Sequence, residues 1–579
     1  MYLRAGAGLT SRLVIGRLSK PLVLALALLA AAVPAPATAV GLPPAKRVRI
    51  PFPRYDGTLT PYTFELGYPL VTLIYDTLMW RDARGVPSPW LARSVERRDG
   101  GRRLKIRLRR GVRWHDGRAL TSADVAFTFS FVASHFHPRF TPELSDVRAV
   151  RAPDRLTVTI DLRRPSLGFL DQPLSDMPIL PRHIWEGLDP GRLAPRGPTV
   201  GSGPYRLVRA TPIGGYSLRA NRSYFRGRPR VERIEVPIIG DAERTYGGLE
   251  GRKLDMVPIS LPEDAVQRVG ASFGLNLARG PDYSGTALQL NLRRPPFGAA
   301  AARRAVASAL DLERILRHVG PGVTADRGYI HPASRWAPRA ILHRFDAGGA
   351  RRALRRLHLR PIAVLAARND QPRLEGARQV VLALRRAGAE ARLVTLSPER
   401  LGRAIGEDGG RPSFEAAVTS TPPLASFDPD YLRLVFGGRG RREAPLNHTG
   451  YRSARFERLA DQVAGAPTRA ARRRAIGREL RLLARDVPAV PLFFSEGTFA
   501  YRPAVYDGWL YMKGAGILDK RSFLPGSSST RRAGVEASEP EGSADSGAFL
   551  DVLRIVALVA LAGALALAAW ALLARRRSG

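Results

Sequence analysis

The sequence predicts an α/β protein with mixed sheets, and three observations lead to that prediction. Residues 155–162 alternate apolar and polar side chains, as a half-buried strand does. Residues 361–366 and 391–396 form two apolar strand patterns on either side of a helical pattern at 374–387, which is the order of a β-α-β unit with parallel strands. The chain has 579 residues, which exceeds the size at which a single core stops growing, so we expect several lobes.

The most informative stretch combines a strand, a turn and a capped helix. Residues 105–108 alternate as a strand, and Gly111 then supplies a residue that tolerates positive φ. Thr121 is a natural helix N-cap, because Asp124 follows three residues later and its carboxylate can accept hydrogen bonds from free backbone N–H groups. The pattern therefore predicts a helix over residues 123–132.

The remaining elements follow from the same periodicities. The apolar residues Val231, Ile234 and Val236 predict another strand over residues 231–239. Helical spacing predicts three further helices at residues 299–318, 453–464 and 468–486. Gly320 follows the first of these helices as a C-terminal stop.

Composition excludes several classes of chemistry. The chain contains no cysteine, so it has neither disulfides, nor thiolate metal sites, nor a cysteine nucleophile. It also lacks the G-x-S-x-G, H-E-x-x-H and G-x-x-x-x-G-K-[ST] patterns of common hydrolases, metalloproteases and nucleotide-binding proteins. We therefore predict no catalytic residues, no metal site and no cofactor, and we do not expect an enzyme.

Both ends of the chain carry membrane signals. Near the start, basic residues precede an apolar run at residues 21–33, and Ala37 and Ala39 then supply a small-x-small cleavage pattern, so residues 1–39 are predicted to be a signal peptide. Near the end, residues 549–574 are predicted to be a transmembrane helix, because about twenty uncharged residues span about 30 Å of hydrocarbon.

Three arginines at residues 575–577 follow this apolar stretch at once. The positive-inside rule therefore places the short tail at residues 575–579 in the cytoplasm and the body of the protein outside. Residues 525–548 are rich in Ser, Gly and Glu without apolar periodicity, which predicts a flexible tether between body and membrane.

The formal net charge is +40, and nearly all of the positive charge is arginine spread along the whole chain. Diffuse charge of this kind is typical of a solvated surface that affects solubility and association. Attraction to anionic lipid or cell wall, or capture of an anionic ligand, is the functional alternative. No nucleic-acid-binding motif accompanies the charge, so we expect no nucleic-acid partner.

Several separate segments share their motifs and their order with one receptor family. They are the strand, turn and helix at residues 105–125, the turn V-G-S-G-P-Y at 200–205, N-R-S-Y-F-R-G-R at 221–228, L-Q-L-N-L-R-R-P-P-F with the helix after it at 288–315, and three pieces at 447–456, 468–486 and 487–494. Together they resemble the oligopeptide-type family 5 of extracellular solute-binding proteins, which serve ATP-driven importers.

The resemblance implies a bilobal, periplasmic-binding-protein-like fold of type II with an extra domain. Two chain crossings, near residues 283–287 and 498–500, would then act as the hinge. Mapped onto this chain, the implied parts are lobe I at residues 40–79, 200–282 and 500–524, the extra domain of lobe I at 80–199, and lobe II at 283–499.

The resemblance also implies a function. A body of this kind closes on a small solute, such as a peptide, and delivers it to the permease and ATPase subunits of an ABC importer. It would work in the periplasm or on the extracellular face, anchored in the cytoplasmic membrane. The alternative is a ligand sensor or interaction protein with the same fold that is not coupled to import.

The ligand is left open by the residues. In peptide-binding members of this family, an Asp ahead of an Asp-Pro pair holds the α-ammonium of the peptide, and the matching position here is Ala425. Either Asp428 or Asp430 does this in a shifted register, or the ligand is not an α-peptide. Other members carry nickel complexes, haem, opines or oligosaccharides.

Candidate ligand-binding residues follow from the position of aromatic and polar side chains in the implied fold. Aromatic residues in loops can form apolar walls, while polar groups fix the orientation of a ligand. The candidates are Tyr62, Phe64, Tyr283, Asn291, Trp336, Asp428, Asp430 and Tyr431.

Overall fold

The computed structural model of the chain describes residues 44–64, 67–192, 199–439, 442–444 and 446–525. The predicted signal peptide, the tether beyond residue 525, the transmembrane helix and the tail lie outside these residues. Across the part of the chain that the structure describes, no helix combines the length and the apolar character that a bilayer crossing needs.

The strands of the described residues are numbered in chain order. They are β1 Ala45–Arg49, β2 Met79–Arg81, β3 Pro87–Pro89, β4 Ala92–Arg98, β5 Arg103–Leu108, β6 Val147–Asp154, β7 Thr157–Leu162, β8 Tyr205–Thr211, β9 Gly215–Ala220, β10 Val231–Val236, β11 Asn276–Leu290, β12 Gly322–Thr324, β13 Ile362–Ala367, β14 Ala391–Leu396, β15 Ala416–Thr421, β16 Gly438–Arg439, β17 Arg442–Glu443 and β18 Ala489–Tyr501.

The α-helices of the same residues are numbered in the same way. They are α1 Tyr68–Ile74, α2 Ser122–Ser134, α3 Arg182–Trp185, α4 Ala242–Glu250, α5 Glu263–Gly270, α6 Ala300–Ser308, α7 Leu312–Val319, α8 Ala347–Leu357, α9 Gln371–Arg386, α10 Pro398–Ile405, α11 Leu424–Phe427, α12 Leu432–Phe436, α13 Ala454–Ala464 and α14 Arg469–Asp486.

The strands form three larger sheets. Sheet A has the order β1-β10-β9-β8 and is mixed, because β1 pairs parallel to β10 while its other pairs are antiparallel. Sheet B has the order β4-β5-β7-β6 and is antiparallel. Sheet C has the order β12-β18-β11-β15-β13-β14, and its β15, β13 and β14 are parallel neighbours. We call residues 79–192 the sheet B region and residues 283–498 the sheet C region.

The sequence patterns predict most of these elements. The capping box at Thr121 and Asp124 is confirmed, with the Thr121 backbone N–H donating to Asp124 Oδ2 at 2.8 Å where α2 begins. The β-α-β unit is also confirmed, because α9 connects β13 to β14 and these two strands pair in parallel. Gly111 adopts a φ of 76°, as the predicted turn requires.

The prediction of one continuous helix over residues 299–318 is wrong. The helix α6 ends at Ser308, and a separate helix α7 begins at Leu312. The cause is Asp311, whose side chain accepts a hydrogen bond from the Arg314 backbone N–H at 2.9 Å and so starts a new helix. Gly320 ends α7 at a φ of 124°, as predicted.

The turn at residues 201–203 is a packing element. A side chain on Gly201 would place its Cβ 1.9 Å from the carbonyl oxygen of Ile74, so only glycine fits against the end of α1. The backbone N–H of Gly203 donates to the same carbonyl oxygen at 2.8 Å. These contacts account for the glycines of the V-G-S-G-P-Y turn by packing alone.

A long antiparallel pair of strands joins two hydrophobic cores. The strand β11 pairs with β18 from Asn276 opposite Tyr501 to Gln289 opposite Ala489. The register shifts twice along this pair, between Pro281 and Gly285 and between Thr286 and Ala287. One end of this pair packs into the core that contains sheet A, and the other end packs into the core of sheet C. The two cores are therefore connected by a ribbon that is irregular in its middle.

A buried ion pair connects distant parts of the chain around sheet A. Asp76 and Lys520 are both fully buried, and Lys520 Nζ lies 2.9 Å from Asp76 Oδ1. The same carboxylate accepts hydrogen bonds from Trp90 Nε1 at 2.8 Å, from the Tyr224 hydroxyl at 2.9 Å and from Ser202 Oγ at 3.1 Å. These protein donors take the place of the water molecules that would hydrogen-bond to Asp76 in solution, as a buried charge requires.

Replacing Lys520 with Met is expected to lower the free energy of unfolding by about 3 to 5 kcal/mol, because the Asp76 carboxylate would remain buried without its cation. Urea unfolding followed by tryptophan fluorescence measures this, since Lys520 lies over the rings of Trp80 and Trp90. Lys253→Met is the matched control at an exposed lysine. A loss below about 1 kcal/mol in Lys520→Met would contradict this account of the ion pair.

Candidate ligand-binding site

The sheet B and sheet C regions meet at a glycine. A Cβ on Gly168 would lie 2.5 Å from Asp428 Oδ2 and 2.7 Å from Arg472 Nη2. Asp428 and Arg472 form a buried ion pair within the sheet C region. The backbone after β7 therefore touches this ion pair so closely that a side chain at residue 168 would force Asp428 and Arg472 to shift.

Further charged side chains cross the same boundary. Arg335 Nη2, from the sheet C region, lies 2.5 Å from both carboxylate oxygens of Asp171 in the sheet B region. At the edge of the contact, Arg164 Nη1 lies 2.7 Å from Asp461 Oδ1. The Arg81 guanidinium lies over the Phe427 ring, 4.7 Å from its centre. The boundary is thus lined with charges that are paired across it.

On the sheet B side, Asp176 organises the charges. Arg139 binds it through Nε at 2.6 Å and Nη2 at 2.8 Å, and Arg81 Nη1 lies 4.0 Å away. Burial by itself would raise the pKa of the Asp176 carboxyl, but these two guanidinium groups outweigh burial and hold the pKa below its usual value. Asp176 is therefore a buried, ionised carboxylate whose charge is balanced by these two guanidinium groups.

Asp171 behaves differently from Asp176. Burial raises the pKa of the Asp171 carboxyl to about 7, although Arg335 opposes that rise. The Arg335–Asp171 contact consequently changes its charge state near neutral pH. Asp171 is therefore the titratable group at the boundary that we expect to affect the pH dependence of stability most clearly.

Two of the predicted ligand-binding residues, Asp428 and Asp430, have protein partners. Asp428 pairs with Arg472 and also accepts a hydrogen bond from the Asp430 backbone N–H at 3.1 Å. The Asp430 carboxylate lies 3.3 Å from Arg433 Nη2, and burial raises the pKa of Asp430. Both carboxylates are at the boundary between the two regions, but neither is without a counter-ion.

Three predicted aromatic residues lie beside this pair. The Trp336 indole donates to the carbonyl oxygen of Phe427 at 3.0 Å, and the Arg472 guanidinium lies 4.8 Å from its ring centre. Tyr283 packs against Phe427, with ring centres 4.9 Å apart. Burial raises the pKa of Tyr431 to about 12, although Arg139 across the boundary opposes that rise. The structure therefore brings Tyr283, Trp336 and Tyr431 together with Asp428.

The other predicted residues lie apart from this group. Tyr62 and Phe64 pack against aromatic residues of the sheet B region, where the ring centre of Phe64 lies 6.3 Å from that of Phe140. Asn291 is fully buried in the sheet C region, and its Nδ2 donates to the carbonyl oxygen of Phe414 at 2.9 Å. These contacts give Asn291 a structural partner, while ligand contact by all eight residues stays a prediction.

Sequence reasoning missed most of the charged residues at this boundary. They share a position where the two regions meet, and they are the buried Arg81, Asp171, Asp176 and Arg472 and the half-buried Arg139, Glu143 and Arg335. Arginine occurs throughout the chain, so its presence at these positions gives no signal. Only the folded arrangement brings carboxylates from different segments into one cluster.

Two cavities lie outside the cluster. One of about 550 Å³ is lined by residues near the end of α2, including Phe127, Phe131 and His135. Another, of about 350 Å³, opens beside α13 and α14. The first is lined by none of the residues that meet across the boundary, and the second is lined in part by Asp461, which contacts Arg164 at the edge of that boundary. Burial and charge therefore identify the candidate site, and cavity size does not. Among the residues that the structure describes, no group of three His, Asp or Glu side chains could hold a metal ion.

Comparison with known proteins identifies the family. Residues 86–440, more than half of the chain, match the model of the bacterial extracellular solute-binding proteins, family 5, in its middle part. The chain belongs to this family. Its α/β fold with mixed sheets is the periplasmic-binding-protein fold, as the solved relatives below indicate.

Curated relatives of this family 5 protein match over part of their length. The oligopeptide-binding protein AppA of Bacillus subtilis is 27% identical over 267 residues, which cover 45% of this chain and 48% of AppA. A peptide-binding protein of an ABC transporter in Brucella ovis is 25% identical over 249 residues, covering 42% of this chain and 47% of the relative. The chain thus spans about half the length of the curated relatives it matches.

Solved structures match nearly all of the fold. AppA of Bacillus subtilis, in complex with a nonapeptide, has a TM-score of 0.72 at 19% identity and covers 84% of this chain and 99% of its own. NikZ of Campylobacter jejuni, in complex with Ni(L-His), has a TM-score of 0.70 at 19% identity and covers 79% and 94%. At this identity the likeness establishes the fold alone.

Replacing Asp171 with Asn is expected to remove part of the pH dependence of stability. The folded-state pKa of Asp171 is raised to about 7, so its contribution to stability is complete below about pH 4 and is lost as the pH rises through about 7. Across that window the wild type should lose on the order of 1 kcal/mol per pH unit more than Asp171→Asn.

Thermal unfolding midpoints between pH 4 and 8 measure this difference. Asp264→Asn, at an exposed helical carboxylate, is the control and should keep the wild-type slope. Parallel curves for the wild type and Asp171→Asn would show that Asp171 does not titrate as its burial implies.

Proposed function

We propose that this family 5 protein is an extracytoplasmic receptor that captures a small solute, a peptide or a peptide-like compound, and delivers it to an ABC importer without catalysis. Family membership supports the solute-binding role. The curated relatives named as oligopeptide-, peptide- and dipeptide-binding proteins support a peptide-like ligand. The permease and ATPase subunits of an importer are then the protein partners.

The observation that carries the proposal is the charged boundary between the sheet B and sheet C regions. Its ion pairs link two regions that have separate cores, and such pairs can form and break without disturbing either core. Charged groups regain hydration when they separate, so opening this boundary costs less than opening an apolar core would. In the proposed mechanism the described arrangement is the closed state.

The ribbon of β11 and β18 is the proposed hinge. It joins the core around sheet A to the core of sheet C, and its pairing is irregular between Pro281 and Gly285. Hinges are short segments that absorb changes in φ and ψ while the parts on either side move as rigid bodies. A ligand that contacts both sides favours the closed state by its extra affinity for that state.

The ligand-contacting residues proposed for this site are those at the boundary. Tyr283, Trp336, Asp428, Asp430 and Tyr431 surround the point where Gly168 approaches the sheet C region. The proposed set also includes three residues that lie apart from this group, namely Tyr62, Phe64 and Asn291. Aromatic walls with a few fixed charges suit a ligand whose side chains vary but whose polar groups do not.

The proposed anchor is the apolar stretch at residues 549–574, with the body held outside the cytoplasmic membrane by the tether before it. A signal peptide at residues 1–39 would export the body. Tethering keeps a receptor near its permease and so raises the effective concentration of the receptor at the permease. This placement rests on sequence patterns in residues that the structure does not describe.

Native mass spectrometry of the full chain, purified from membranes in mild detergent after growth in rich medium, tests the proposal. We expect a small solute to co-purify and its identity to give the ligand class. Gly168→Val should weaken retention of that solute by about tenfold or more, because the added side chain would collide with Asp428 and Arg472.

The control for this experiment is Gly247→Val, since a Cβ at Gly247 meets no atom within 4 Å. It should retain the solute as the wild type does. If no peptide, sugar or metal complex is bound by the wild type or raises its unfolding midpoint on addition, the receptor proposal is wrong.

A further inference from the structure

One carboxylate at the boundary, that of Glu143, has no hydrogen-bond donor among the described residues. Glu143 lies in the short 3-10 helix Thr141–Leu144 just before β6. The residue keeps some exposed surface, but both of its carboxylate oxygens are buried and accept no hydrogen bond from any residue that the structure describes. A buried acceptor without a donor is unfavourable by about 1 to 3 kcal/mol, and by more if it is charged.

The charged groups that face Glu143 come from both sides of the boundary. From the sheet B region these groups are Arg81, Arg139 and Asp176, and from the sheet C region the charged group is Asp428, beside the uncharged phenol of Tyr431. Glu143 is thus placed where a ligand held between the two regions would be, opposite two of the proposed ligand-binding residues.

The nearby arginines are engaged elsewhere. Arg139 gives two donors to Asp176, at 2.6 and 2.8 Å. Arg81 donates through Nη2 to the carbonyl oxygen of Asp171 at 2.8 Å, and the Asp171 carboxylate is bound by Arg335. Asp176 and Asp171 each have a cation, whereas Glu143 has none within hydrogen-bonding distance among the residues that the structure describes. Arg81 Nε is a buried donor that likewise has no acceptor among those residues.

A second carboxylate without a hydrogen bond does not fit the same role. Both oxygens of Glu479 are also buried without a donor among the described residues. Its charged neighbours, however, are Asp428, Asp430, Arg433 and Arg472, all from the sheet C region. Glu143 is the carboxylate of the two that has charged neighbours on both sides of the boundary.

We propose that Glu143 accepts hydrogen bonds from a cationic group of the bound solute, an ammonium or a guanidinium, so that this receptor selects positively charged ligands. This inference rests on the proposed function. A cation donates charge-assisted hydrogen bonds, which are the strongest that a buried carboxylate can accept. The basic surface opposes such a ligand only weakly, because at physiological ionic strength charges are screened beyond about 8 Å.

Binding of a cation at Glu143 has a signature in proton exchange. Burial and the neighbouring Asp176 raise the pKa of the Glu143 carboxyl well above its usual value, while Arg139 and Arg81 oppose that rise. A ligand cation beside this carboxyl acts in the opposite direction and lowers its pKa, so binding of a cation favours loss of a proton from Glu143. Up to one proton should leave per ligand bound near neutral pH.

The test uses two matched pools of synthetic tetrapeptides and the full chain in mild detergent. Both pools are amidated at the C-terminus, so that neither carries a carboxylate there. The cationic pool has a free amino terminus and one Lys, and the uncharged pool is N-acetylated with norleucine in place of that Lys. Isothermal titration calorimetry in two buffers of different ionisation enthalpy gives both affinity and proton release. The variants are Glu143→Gln, which keeps the shape of the protonated side chain, Glu143→Asp, which keeps the charge, and the control Glu313→Gln at an exposed glutamate.

We expect the cationic pool to bind the wild type and Glu313→Gln with proton release. Glu143→Gln should bind at least about tenfold more weakly and release no proton, while Glu143→Asp should recover part of the affinity. Equal affinity of wild type and Glu143→Gln for the cationic pool, or binding of the uncharged pool in preference, would overturn this inference and leave the receptor function standing. Binding of neither pool, together with absence of any co-purifying solute, would overturn both.

Discussion

The contact between Gly168 and the buried Asp428–Arg472 ion pair is the constraint on which the rest of the site depends. It fixes how closely the sheet B and sheet C regions approach, because any side chain at residue 168 would collide with the pair. The Arg335–Asp171 contact and the charges around Asp176 are then held within reach of one another. A site made in this way exists only when the two regions are together, which is what a receptor that signals occupancy by closing requires.

Buried charge serves two purposes in this molecule. Around sheet A, Lys520 lies over the rings of Trp80 and Trp90 and pairs with Asp76, which also accepts hydrogen bonds from three neutral side chains, so the pair holds distant segments in one arrangement. At the boundary, the Glu143 carboxylate accepts no hydrogen bond from any described residue, and burial raises the pKa of Asp171 to about 7. The first arrangement is complete within the protein, whereas the second has an acceptor that a ligand can satisfy.

The sequence predicted local structure well and the site poorly, for physical reasons. The capping box of Thr121 and Asp124 depends on residues three positions apart, so it can be inferred without the fold. The parallel strands on either side of α9 can be inferred in the same way, because they follow from a short repeating pattern. The break at Asp311 was missed because a cap inside an apolar pattern competes with helix continuation, and only geometry decides between them. Arg139, Asp176 and Glu143 carry no pattern, since their role comes from residues far apart in the chain meeting at one boundary.

The distance between the two regions, with and without bound solute, tests the central claim most directly. The chain contains no cysteine, so Arg148→Cys on β6 and Arg356→Cys on α8, both exposed, give two unique sites for spin labels. Pulsed electron paramagnetic resonance on the full chain should give one short distance with the co-purified solute bound and a longer or broader distribution after its removal. Identical distributions in the two conditions would contradict the account of a receptor that closes on its ligand.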